Sequence, residues 1–142
     1  MPTMKTSIGG LLGMTGAAAG ALYVAVLAFV SPSDSSVFRY GSAAVIAVAS
    51  VVALQAVMVR QTRPAKAVVV NAAVWTVFSA VLTLDGVFIH PGLAKDLEPT
   101  ATAMVLHFLR LLLVMAIPAT GLSTALYFGI SRWRRCGAGV RI

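Results

Sequence analysis

Charge is what this sequence lacks most. Only 11% of its 142 residues are Asp, Glu, Lys or Arg, and just four of them are acidic. A soluble domain carries about 25% charged residues, so this chain has too little polar surface to stay dissolved. Cysteine is nearly absent as well. Cys136 is the single one, which excludes an internal disulfide and any Cys-x-x-Cys motif. Two histidines, His90 and His107, make a weak case for a metal and offer no matched pair for haem. No Gly-rich phosphate loop follows a strand-like run. No Ser/His/Asp set has a recognisable context. The reading therefore assigns no cofactor.

Apolar residues are what is there. They make up 59% of the chain, and mean hydropathy is +0.93. A membrane span needs about 20 consecutive apolar residues, and four windows qualify: residues 7–30, 41–59, 67–89 and 101–131. The first ends at Ser31-Pro32-Ser33-Asp34, the second at Arg60-Gln61-Thr62-Arg63-Pro64, and the third at His90-Pro91-Gly92. The fourth starts after Glu98-Pro99-Thr100 and exceeds one bilayer crossing, so it should tilt, kink at Pro118 or protrude. A basic tail, 132–142, follows. The expected architecture is all-α: one domain, 1–142, folded as an up-down four-helix transmembrane bundle.

The net charge of +7 is the one feature that points toward nucleic acid. Its distribution argues against that partner. Lys5 precedes the first window, Arg60, Arg63 and Lys66 separate the second from the third, and Arg132, Arg134, Arg135 and Arg141 follow the fourth. With four spans all eight fall on one side, as topology signals and contacts for anionic lipids. The other side holds Arg39 and Lys95 with Asp34, Asp96 and Glu98. This positive-inside pattern puts both termini in the cytoplasm of a multi-pass plasma-membrane protein. A cleavable signal peptide competes for the N-terminus, with Lys5 as its basic region and Gly16-Ala17-Ala18-Ala19-Gly20-Ala21 as small residues near a cut. Cleavage there leaves a remnant too short to span, so an uncleaved first span is the expectation. Cys136 follows Arg132-Trp133-Arg134-Arg135 and reads as a free thiol, with lipidation as the alternative.

The first span carries Gly9, Gly13, Gly16, Ala17 and Gly20. Small residues four apart let helix backbones approach closely, so this face should pack tightly within the bundle, with a dimer face as the alternative.

Ionisable side chains inside apolar spans are expensive and mark functional sites by default. Arg110 lies in the fourth window, three residues after His107. A charge at a span centre costs roughly 2.5–3.5 kcal/mol on insertion scales. The expected partner is Asp85 in the third window. Helix rise puts Asp85 about 7 Å below the end of its span, and His107 and Arg110 about 10 and 15 Å below Thr100. At this spacing His107 and Arg110 share a face, so the three should form one cluster. A second polar layer, Gln55 with Asn71, falls near the opposite end and reads as an amide pair joining two helices.

The cluster allows several functions. One is acid–base chemistry, such as isomerisation or cyclisation of an isoprenoid or epoxide. There a carboxyl group in apolar surroundings can stay protonated as an acid, His107 relays a proton, and Arg110 holds an anionic group. An Arg beside Asp85 works against the acid role. A second function is a small proton-coupled transporter, which would need an oligomer. A third is a non-catalytic accessory subunit of a larger membrane complex, with the ion pair fixing helix register. Membrane lipids, a lipophilic small molecule, and a homo-oligomer or larger complex are the partners these readings imply.

Two stretches carry a family resemblance. One runs from Thr62-Arg63-Pro64-Ala65-Lys66 through Val74-Trp75-Thr76-Val77 to Val81-Leu82-Thr83-Leu84-Asp85-Gly86. The other is Ala101-Thr102-Ala103-Met104-Val105-Leu106-His107, followed by an apolar run to Ile117-Pro118. Together, over about half the chain, they resemble a family of small actinobacterial four-span membrane proteins of unknown function. That family pairs a basic loop and a Trp-containing third span with a fourth span bearing a His. The resemblance carries over His107 and Pro118 and implies no reaction. Arg110 departs from it, standing where the family has an apolar residue.

Overall fold

The computed structural model describes residues 7–32, 34–91 and 98–139. Lys5, Lys95, Asp96, Arg141, Ser33 and Gly92, which enter the charge pattern and span limits, lie outside the described residues. The described chain is helical, with no strand: α1 (Ile8–Val30), α2 (Ser36–Gln61), α3 (Pro64–Phe88), α4 (Ala101–Leu111), a π-helical turn (Leu112–Ala116) and α5 (Ile117–Ala138). Four helical rods, counting the last three elements as one, are long and apolar enough to cross a membrane.

Local chemistry explains where the helices start. Ser7 Oγ accepts from the Gly10 N–H at 3.1 Å, Ser35 Oγ from Phe38 at 3.2 Å, and Thr100 Oγ1 from Ala103 at 3.3 Å. Each bond satisfies an N–H that has no partner within the helix. In α3, Pro64 occupies the first turn, where its missing N–H costs nothing. Hydropathy starts the second and third spans later than the helices begin, because Ser36, Arg39 and Lys66 look like loop residues by polarity alone. Arg39 instead closes the α1–α2 turn. Its Nε donates to the Phe29 carbonyl at 3.0 Å, and its guanidinium lies 5.7 Å from the Phe29 ring centroid.

The last rod runs unbroken for 38 residues, about 57 Å at normal helix rise. It therefore continues beyond Ser131 through the basic residues to Ala138. Just before Pro118 the winding loosens, and the Ile117 N–H reaches five residues back to the Leu112 carbonyl. Proline has no N–H for the preceding turn and its ring crowds that turn. A single π turn is a common way for a helix to absorb such a break.

Packing centres on α3. It contacts α1, α4, the π turn and α5, while α2 contacts α1 and α5. Ala67, Val70, Asn71, Val74 and Phe78 are buried along it, the i, i+3, i+4, i+7 stripe of a helix facing a core. By contrast α4 has no buried residue. Val37, Val45, Leu106, Leu113, Val114 and Leu122 are between 61% and 80% exposed. The molecule thus hides polar groups on α3 and shows apolar ones outside.

The glycines of α1 do not pack as their spacing suggested. A Cβ added at Gly13, Gly16 or Gly20 would meet no atom within 4 Å. The contact face of α1 is instead Ala18, Leu22 and Ala25, which are buried and lie at helical spacing on a different side. Gly16→Ala and Gly20→Ala should therefore keep or raise thermal stability in detergent, by up to about 1 kcal/mol each from helix propensity. A melting temperature lowered by several degrees would mean that this face is packed.

Candidate functional site

The carboxylate of Asp85 organises one end of the molecule. At the end of α3 two amides share its main-chain carbonyl: Ile89 N–H at 2.9 Å and His90 N–H at 2.7 Å. The second bond spans one residue more than an α-helical turn and winds the chain back over the helix end. Pro91, without an N–H, follows. The winding brings His90 Nδ1 to 3.0 and 3.1 Å from the two carboxylate oxygens. From α1, Tyr23 donates its hydroxyl to Asp85 Oδ1 at 2.6 Å. Asp85 is 1% exposed, whereas the His90 side chain is 33% exposed.

This arrangement limits what Asp85 can do. A carboxylate held by two partners acts as an orienting group and is not free to swing as an acid. With the proton on Nδ1, His90 donates to Asp85 and keeps Nε2 as a free acceptor. An aspartate that fixes the ring and tautomer of a histidine is a recurrent device in catalytic and metal sites. Among the described residues no group of three or more His, Cys, Asp or Glu side chains assembles.

Arg110 does not join this cluster. It is exposed and has no hydrogen bond or ion pair among the described residues, where Asp85 pairs with His90. The reason is angular. Residues three apart on an α-helix differ by about 60° in direction. His107 faces the neighbouring helices, and that rotation turns Arg110 outward among exposed Leu106, Leu113 and Val114. The expected Asp85–Arg110 pair is thus replaced by Asp85–His90.

His107 is also separate from Asp85. It lines a cleft of about 440 Å³ between α1, α2, α3 and α4, with Phe29, Ala47, Trp75 and Phe78 among the other walls. Leu22 and Gly86 line it too. They are the chain neighbours of Tyr23 and Asp85, whose own side chains do not. His107 has no hydrogen-bond partner among the described residues, and it is the only titratable side chain in the lining. Its position on α4 lies one turn before the π turn.

Gln55 and Asn71 meet as their spacing suggested. Gln55 Nε2 donates to Asn71 Oδ1 at 2.8 Å, and Asn71 Nδ2 returns a bond to Gln55 Oε1 at 3.2 Å. Asn71 also donates to Thr124 Oγ1 at 3.4 Å. Trp75 Nε1 donates to Ser123 Oγ at 2.9 Å, so its indole presents only carbon to the cleft. Nearer the far end, the Tyr127 hydroxyl donates to the Thr62 carbonyl at 3.0 Å. No buried side-chain N or O among the described residues lacks a partner. This layer joins helices and offers no open group for chemistry.

Sequence reasoning missed Tyr23 and His90. The signal for His90 was its place five residues after Asp85 and just before a proline. Tyr23 was the one hydroxyl-bearing aromatic in the first span. No family model, curated protein or solved structure matches the chain, so the geometry alone must carry the functional reading.

Removing a partner of Asp85 should be felt in stability. Tyr23→Phe and His90→Ala should each cost about 0.5–1.5 kcal/mol, the net worth of a typical hydrogen bond, and their effects should not add because both act on one carboxylate. Arg110→Leu should cost nothing. Thermal melts of the purified variants in one detergent test this ranking. An Arg110→Leu variant as unstable as His90→Ala would contradict the observed pairing.

Proposed function

We propose that this chain is a multi-pass membrane protein that holds a lipophilic molecule in the cleft between its helices, with His107 contacting the polar atom of that molecule. The observation that carries this reading is an unpartnered imidazole in an otherwise apolar cleft of about 440 Å³. That size is usual for a small-molecule site, where apolar walls and a few placed polar groups share the work. A polar group in apolar surroundings costs free energy until it gains a hydrogen bond, so His107 favours a ligand that supplies one. A neutral hydroxyl or carbonyl suits it better than an anion, because no cation lines the cleft. If the protein is also a catalyst, for isomerisation or ring closure of such a molecule, the proton transfer falls to His107. Asp85 is committed to Tyr23 and His90.

The membrane part of the proposal is an up-down four-helix bundle in the plasma membrane with both termini cytoplasmic. Exposed apolar side chains along all four rods support insertion. The Tyr127–Thr62 contact brings the α2–α3 turn, with Arg60, Arg63 and Lys66, to the same end as the start of the basic run at Arg132. Asp34 and Glu98 belong to the other connections, and Arg39 to the first turn of α2 beside one of them. This segregation agrees with the positive-inside rule.

Two measurements test the proposal. Cys136, the single cysteine, is exposed and should react with a membrane-impermeant maleimide only after cells are permeabilised. A cysteine introduced by Asp34→Cys in a Cys136→Ser background should react in intact cells, and the reverse pattern would overturn the orientation. For the cleft, native mass spectrometry of protein released from nanodiscs should find a bound lipophilic molecule, absent from the cleft-filling variant Ala47→Trp. Ordinary phospholipid alone, equal in both proteins, would overturn the ligand reading.

A further inference from the structure

The side chain least explained by the cleft or the Asp85 cluster is Arg110. It is exposed and unpartnered among the described residues. Leu106 precedes it by one turn, and Leu113 and Val114 follow it by one turn. These three are 61%, 67% and 71% exposed. Along the helix it is thus flanked by exposed apolar side chains, while the polar neighbour one turn earlier, His107, faces the cleft instead. The helix that bears it, α4, has no fully buried residue; its half-buried side is the one with His107 and Leu111, which wall the cleft.

We infer that Arg110 is the docking point for a second membrane protein, one whose transmembrane helix presents a carboxylate at the same depth. The inference rests on the membrane-spanning part of the proposed function and is independent of the cleft and its ligand. Arg110 lies ten residues beyond the Thr100 cap, about 15 Å along the helix, which is near the middle of a hydrocarbon core about 30 Å thick. A cation there is offset by an anion in direct contact. Arginine suits the task because its planar fork grips a carboxylate with two parallel hydrogen bonds.

Among the described residues none supplies that anion, either to this chain or to a second copy. The chain has four acidic residues. Asp85 is 1% exposed and already bonded to Tyr23 and His90. Asp34 belongs to the α1–α2 turn and Glu98 precedes the Thr100 cap, so neither falls at the depth of Arg110, and Asp96 lies outside the described residues. Charge complementarity thus selects a different protein over a homodimer. A lipid phosphate is the competing anion. It lies at the membrane surface, and an arginine stem would have to snorkel across most of a leaflet to reach it.

The test uses the full chain in phosphatidylcholine vesicles, labelled with a donor fluorophore on Cys136. An acceptor-labelled polyleucine transmembrane peptide with one central Asp is added, and a peptide with Leu at that place is the control. Energy transfer should show the Asp peptide associating at least tenfold more tightly than the control. Arg110→Leu should abolish the difference, and Arg110→Lys should reduce it without abolishing it. Equal association of the two peptides with the wild-type chain would overturn the inference and leave Arg110 to the lipid phosphates. Flotation of the same samples separates the two levels. A chain that fails to float with the vesicles overturns the membrane reading itself. A floating chain with equal association overturns only the docking.

Discussion

A hydrogen bond broken among apolar side chains has no water to replace it, and α3 carries four polar residues where nothing but protein reaches them. Asn71, Ser79, Thr83 and Asp85 are all buried. Two of them are satisfied within the helix: Ser79 bonds the Trp75 carbonyl and Thr83 the Ser79 carbonyl. The other two reach outward. Asn71 ties α2 and α5 through Gln55 and Thr124, and Asp85 ties α1 through Tyr23. Apolar packing alone would let helices slide by a turn at little cost, since one Ala or Val resembles the next. The polar contacts remove that freedom, because a helix displaced by one turn leaves buried groups unpaired.

Much of the helical layout was legible in the sequence, for reasons visible in particular residues. Hydropathy located four rods because every charged residue except Asp85 and Arg110 falls outside the four apolar windows, between or beyond them. The amide layer was legible because Gln55 and Asn71 are the only amide side chains within the four windows read from hydropathy and fall at matching positions along them. The failures share a cause: residue spacing gives position along a helix but poorly predicts direction around it. His107 and Arg110 share a face at coarse angular resolution, yet one walls a cleft and the other points out of the molecule. The glycine stripe of α1 failed in the same way, since its spacing permits close approach without requiring a neighbour there. His90 was hidden because its position depends on how the last turn of α3 unwinds, which polarity does not encode.

The contrast between the two histidines carries the chemistry. His90 has a fixed ring, a fixed carboxylate partner and partial exposure at the helix end. His107 is also partly exposed, but it has no hydrogen-bond partner among the described residues and sits against carbon. The first is preorganised by the protein; the second is left for something else to organise. A site built for binding needs the second kind, because a polar group already satisfied by the protein gains little from a ligand.

The π turn separates two tasks within one continuous rod. Before it, α4 contributes His107 and Leu111 to the cleft wall and buries no residue. After it, α5 is held to the rest of the molecule through Ser123, Thr124 and Tyr127. Loosened winding at Leu112–Ala116 is the natural place for such a rod to flex. Flexing there would carry His107 and Leu111 away from α3 while the contacts beyond Ala116 keep their length. The volume of the cleft would then depend on the angle that α4 makes with the anchored α5.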